Sequence, residues 1–213
     1  ALREHAEPEL TWRSHVQIAV GLINLGRAED ADRLLRLARA SLDAWPEAGA
    51  ERRWTTLRLL ALVYPAAQRA DFSRFAAEVL AESERAQASE SAIRALSATA
   101  QRASKFGELT SARACLAQAE RLRLAAPPLS TAMLEDYARQ RAQALLRMGE
   151  FDAAGAAFEL AAQAMQAPDA EFSPMRRAEL QRLQAEWALL SGQPELALAR
   201  LAEARPTYQA AFA

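Results

Sequence analysis

The sequence predicts an all-α chain of about five antiparallel helix hairpins, and three observations predict it. Glycine (7) and proline (9) are few among 213 residues and β-branched residues are sparse, so little interrupts helix. Apolar residues recur at i, i+3 and i+4 through long stretches. One pattern also repeats around four glycines. In Arg141–Ala161, RAQALLRMGEFDAAGAAFELA, Gly149 marks a tight turn between two helices, with Ala142 seven residues before it and Ala154, Phe158 and Ala161 five, nine and twelve after. The same offsets from Gly26 reach Ala19, Ala31, Leu35 and Ala38; from Gly107 they reach Ala100, Ala112, Leu116 and Ala119; from Gly192, Ala185, Ala197, Leu201 and Ala204. All twelve small positions are Ala, in a chain where Ala supplies 53 of 213 residues, so composition alone does not produce the frame.

The hairpins run in order, at about 10–44, 52–88, 91–124, 131–166 and 174–205. In the first, Trp12, His15, Val16, Ala19, Leu22 and Ile23 line one face of a helix that ends at Gly26, where a left-handed cap is free of strain. Pro46 and Gly49 punctuate the link to the second hairpin. The second hairpin is a poor copy that no glycine frame fits: Trp54, Leu57, Leu60, Ala61 and Tyr64 share a helix face, Pro65 stops the helix, and Asp71 caps the next from Phe72. The third turns at Gly107, and Pro127-Pro128 separates it from the fourth, which Ser130 or Thr131 caps. Ser173 followed by Pro174 reads as the cap and first turn of the fifth. The fifth turns at Gly192 and reaches Pro206.

The turns set the period. Gly107 to Gly149 is 42 residues, Gly149 to Gly192 is 43, and Gly26 to Gly107 is 81, two periods with the poor copy inside. Small side chains let two helices cross closely, and a bulky neighbour such as Phe158 or Leu35 fills the space beside the crossing.

The patterns in LLRMGEFDAAGAAFELAAQA and LINLGRAEDADRLLRLARA resemble the tetratricopeptide repeat (TPR) family, with glycine at the turn and alanines on both helices. The resemblance covers nearly the whole chain, in four clear copies and one degenerate. The period is longer than the usual ~34 residues, as in kinesin-light-chain-type repeats and the superhelical domains of large bacterial transcription activators. The family's early aromatic is replaced by His15, Leu96, Ala138 and Gln181. The resemblance implies a single domain over 1–213, a right-handed α-solenoid that binds partners in a concave groove lined by the first helix of each hairpin. In the first copy the implied inward residues are Arg13, Val16, Val20, Ile23 and Asn24. In the third they include Arg94, Gln101 and Lys105, in the fourth Arg139, Gln143 and Arg147, and in the fifth Arg182, so the middle of the groove is basic and amide-bearing. Such forks and amides suit an acidic segment or a terminal carboxylate of a protein or peptide.

Chemistry has few parts to work with. The two histidines, His5 and His15, lie in the first fifteen residues, Cys115 is the lone cysteine, and no glycine-rich phosphate loop occurs, so neither a catalytic centre, a metal nor a cofactor is expected. His15 reads as a packed structural histidine. Trp12, Trp45, Trp54 and Trp187 read as core or inter-repeat residues. A net charge of −1 gives no global field for nucleic acid or an anionic membrane, and no run approaches a membrane span. One cysteine suits a reducing, cytoplasmic setting. Twenty-five Arg against a single Lys matches a GC-rich bacterial genome, and an initial Ala reads as a piece of a longer regulatory protein. Two functions fit: a protein-binding scaffold, or the sensor of a small effector in a bacterial transcription activator or signalling kinase. Ala1 to Pro8 reads as the end of a preceding helix. Thr207 to Ala213 reads as an apolar end that another repeat covers, or that self-associates.

Overall fold

A computed structural model describes residues 2–45, 47–85, 89–168 and 170–211, with side chains from residue 8 onward. Ten α-helices are found among the described residues: α1 (Leu2–Asn24), α2 (Ala28–Asp43), α3 (Ala50–Val63), α4 (Phe72–Arg85), α5 (Glu90–Phe106), α6 (Leu109–Ala125), α7 (Thr131–Arg147), α8 (Phe151–Gln166), α9 (Pro174–Leu190) and α10 (Pro194–Ala211). The chain divides into two compact units at Ala126/Pro127, and the Pro127-Pro128 link falls at this break. Among the described residues no helix is long and apolar enough to cross a membrane.

The four glycine turns are built alike. Gly26, Gly107, Gly149 and Gly192 have φ of 73°, 80°, 75° and 76°, a left-handed conformation that a side chain would strain. Each is followed by the same backbone bond, from Arg27, Glu108, Glu150 and Gln193 back to the carbonyls of Leu22, Ala103, Leu145 and Ala188 at 2.8–3.0 Å. This satisfies carbonyls that the helix end would otherwise orphan. The frame alanine then makes the first bond of the next helix, as Ala31, Ala112, Ala154 and Ala197 donate to the carbonyls of Arg27, Glu108, Glu150 and Gln193. All twelve frame alanines are buried, at 5% exposure or less. Ser89, Ser130 and Ser173 accept from the amides of Ala92, Met133 and Arg176 and cap α5, α7 and α9.

In the first unit, residues 1–126, α1 packs on α2 and α5 on α6, but α3 lies against α2 and α5 rather than closely against its sequence partner α4. The second turn explains this. It has Tyr64-Pro65 in place of glycine, then a 3-10 helix, Ala66–Asp71, so Asp71 ends that turn and accepts from Arg74 instead of capping α4. Aromatic rings fill the space that alanines close elsewhere: Tyr64 meets Phe72 edge-on at 4.8 Å, and Phe72 meets Phe106 at 5.2 Å. The expected end of this hairpin, 86–88, lies outside the described residues.

Odd-numbered helices of the first unit run in the same direction, tied at about one period. Trp12 donates to Thr56 (3.0 Å) and Arg52 to Glu9 (2.8 Å), joining α1 to α3 across 44 and 43 residues. Ser91 donates to Glu51, and Arg102 to the Tyr64 carbonyl, joining α3 to α5 across 40 and 38.

In the second unit, residues 127–213, α7 pairs with α8 and α9 with α10. Trp187 crosses Gly155 of α8, where an added Cβ would lie 2.6 Å from its ring, and donates to the Phe151 carbonyl at 2.9 Å. Trp187 and Arg102 both stand five residues before their turn glycine, and both donate to a carbonyl beside the preceding turn.

Two expectations about the ends are corrected. α1 begins at Leu2 and includes Pro8, so residues 2–8 belong to the first helix, not to an earlier one. α10 continues through Pro206 to Ala211. Both Pro206 and Ala202 are exposed, so the carbonyl deprived of its donor can reach water. Phe212 and Ala213 lie outside the described residues. The bulky position nine after the turn is buried at Leu35, Leu116 and Phe158, whereas Leu201 is 47% exposed.

Candidate functional site

The groove residues expected from the sequence separate into inward and outward groups. On α5, Arg94, Gln101 and Lys105 share one face, but Arg94 and Gln101 are half-buried with interactions of their own, and only Lys105 stands exposed. On α7, Gln143 is buried and Arg147 exposed. On α9, Arg182 is exposed and lies 3.6 Å from Glu186. Loss of water around the Arg147 guanidinium lowers its pKa, and the charge of Glu186 opposes that shift. Arg147 and Arg182 thus flank one carboxylate in the second unit.

Arg139 is not an open fork. Its Nε donates to Glu135 at 3.2 Å and its Nη2 to Asp136 at 2.7 Å. Arg176, from α9, donates to the same Glu135 at 2.6 and 3.1 Å and to Asp136 at 3.1 Å, while Gln140 also donates to Asp136. Burial alone would depress the Arg176 pKa, but the hydrogen bonds and charges of Glu135 and Asp136 outweigh it and raise it. Glu135 is fully buried. Four charges therefore satisfy one another and lock α7 to α9, with the Arg139 guanidinium a member of this cluster.

The tryptophans and His15 are placed as follows. Trp54 and Trp45 are buried, Trp12 and Trp187 tie hairpins together, and His15 is half-buried.

The first unit holds a cleft that the sequence reading missed. Because α3 and α4 stay apart, space remains between α2 and α4 above α3. One chamber, of about 240 Å³, is lined by Arg36, Ala40, Leu60, Tyr64 and Phe75. A smaller one of about 70 Å³ lies beside Arg53, Leu57, Glu78 and Glu82. Arg39 and Asp43 line both, and Arg39 reaches across to Glu78 at 3.0 Å. Arg36 is held by Asp32 at 2.8 Å and by Gln68 at 2.9 Å, with its Cζ 5.7 Å from the Tyr64 ring centroid. The hydrogen bond to Asp32 outweighs burial and raises the Arg36 pKa. Guanidiniums and carboxylates above an apolar floor can grip charged or amide groups of another molecule. The signal was in the sequence as the one copy without a glycine frame, where aromatics stand in for alanines. In comparison with known proteins, no family model and no curated protein matches the chain.

Proposed function

We propose that the chain is a non-catalytic, TPR-like protein-binding domain of a bacterial multidomain regulatory protein, each unit a run of right-handed α-solenoid. The observation that carries this reading is the recurrence of one turn and one buried alanine frame, with ties between odd helices 38 to 44 residues apart. Hairpins stacked in this way bury their flanks and leave one row of helices to meet a partner. The partner is a protein or peptide with an acidic segment or terminal carboxylate. Lys105 in the first unit and the Arg147/Arg182 pair in the second present the cations for it.

Capture from a panel of acidic, neutral and basic peptides, read by fluorescence anisotropy, tests the reading. Acidic peptides should bind selectively, and their affinity should fall with added salt. Arg147→Ala with Arg182→Ala should weaken capture by about 2 kcal/mol with the circular dichroism unchanged. Equal binding of all three peptide classes, or unchanged affinity in the double variant, would place the binding face elsewhere.

A further inference from the structure

The second unit contains a cavity of about 220 Å³ where α8, α9 and α10 meet, apart from the residues assigned to partner binding. Its polar lining is Glu159 and Gln166 from α8, Arg177, Gln181 and Gln184 from α9, and Arg200 from α10. Met165 and Leu180 form an apolar wall. Drug-sized pockets start near ~300 Å³, so this one suits a smaller molecule.

Two of the polar groups are fixed by the protein itself. Glu203 accepts from Gln181 at 3.1 Å and from Arg200 at 3.2 Å, which holds both side chains at the rim. Gln184 is different. It is 6% exposed, yet its amide makes no side-chain hydrogen bond among the described residues. Its side chain lines the cavity, so water or a ligand held there is the partner left to the amide. Arg177, Gln166 and Glu159 line the same cavity, are exposed to solvent, and have no side-chain partner among the described residues.

The helices order these groups. α9 runs back along α8, because Trp187 near its end meets Gly155 and Phe151 near the start of α8. Antiparallel register therefore sets Arg177 opposite Gln166 at one end of the cavity and Gln184 opposite Glu159 at the other. Seven residues of helix separate the two ends, about 10 Å along the axis, a distance that long side chains reaching inward shorten. One end offers a guanidinium and an amide, a carboxylate receptor. The other offers a carboxylate and a buried amide, an ammonium receptor.

We propose that this cavity binds a free amino acid, its carboxylate held by Arg177 and Gln166 and its ammonium by Glu159 and the Gln184 carbonyl. This inference does not rest on the partner-binding reading, since it uses none of the same residues and takes a different class of ligand. It gives the effector-sensing alternative a specific place in the fold.

The test is calorimetric titration of the whole chain with each of the common L-amino acids at millimolar concentration. At least one should bind with one-to-one stoichiometry. Its deaminated acid and its decarboxylated amine should each bind about tenfold more weakly or worse, about 1.4 kcal/mol. Arg177→Ala, an exposed change that leaves packing intact, and Gln184→Leu should each weaken the amino acid by a similar factor. Glu159→Gln should weaken the amino acid while leaving the deaminated acid unaffected. Absence of binding by any amino acid to protein shown folded by circular dichroism would overturn the proposal. So would binding that Arg177→Ala leaves unchanged, or equal binding of the deaminated acid.

Discussion

α7 and α8 form a pair closed by alanines, whereas α3 and α4 form a pair held open by rings, and the two show what a repeat uses its small residues for. In the first, Ala142, Ala154 and Ala161 are fully buried and Gly149 reverses the chain in one left-handed step. In the second, Tyr64, Phe72 and Phe75 sit between the elements, joined by Phe106 of α5, and a proline and a 3-10 helix replace the glycine. Closed pairs are alike and leave little room between their helices. The open pair loses its regular contact, passes α3 to its neighbours α2 and α5, and gains a cleft lined with charge. At α3 and α4 the departure from the repeat's own pattern opens this space.

The largest effect should come from the rings. Phe72 is fully buried and meets three other aromatic residues. Phe72→Ala should cost about 3–5 kcal/mol in a urea titration. A loss well under that range would mean that α4 collapses onto α3 once the ring is gone, and that the open pair is not propped by aromatics.

A middle-sized effect separates alanines by place. Ala154→Leu puts three more carbons into a crossing with no free space and should cost about 1–3 kcal/mol. Ala153→Leu, one step round the same helix and exposed, should stay within about 0.5 kcal/mol, and so should Ala40→Leu, which is exposed and lines the cleft. Thermal melting orders the three variants. If Ala40→Leu costs as much as Ala154→Leu, the cleft beside α2 is not open space, and the contrast between the pairs fails.

Much of this was legible in the sequence because it is local. A glycine that must turn left-handed, alanines at fixed distance from it, and Ser-capped helix starts all act within one hairpin. The groove was read less well, for a physical reason. Periodicity says which side of a helix faces inward, but not which charge arrives from 40 residues away. Arg139 looked like an open fork, and only Arg176 coming from α9 makes it part of a closed cluster; the pair Glu135-Asp136 one turn earlier was the local hint. The cavity at Gln184 needed three helices at once, and a lone glutamine on a helix carries no mark of it. Pro206 misled in the other direction, since an exposed proline only removes one bond and leaves the helix to run on.

The smallest effect is chemical, and it asks whether the rings of the open pair hold α4 over its neighbour. Cys115 sits on α6, which packs against both α4 and α5, and it is fully buried. Burial in apolar surroundings disfavours the thiolate and pushes its pKa up to about 12. An unfolded thiol titrates near ~8.5, so the folded chain keeps this proton where the unfolded one has lost it. The resulting contribution to stability is fully present below about pH 8.5 and is lost as pH rises toward about 12. At pH 8 the thiol should therefore react with a disulfide reagent only through opening of the first unit, far more slowly than in urea. Phe72→Ala should speed that reaction in native buffer by loosening α4. Rapid labelling of the unaltered chain at pH 8 would contradict the burial of Cys115. An unchanged rate in Phe72→Ala would show that α4 covers α6 without help from the aromatic residues, and that the open pair owes its order to something other than its rings.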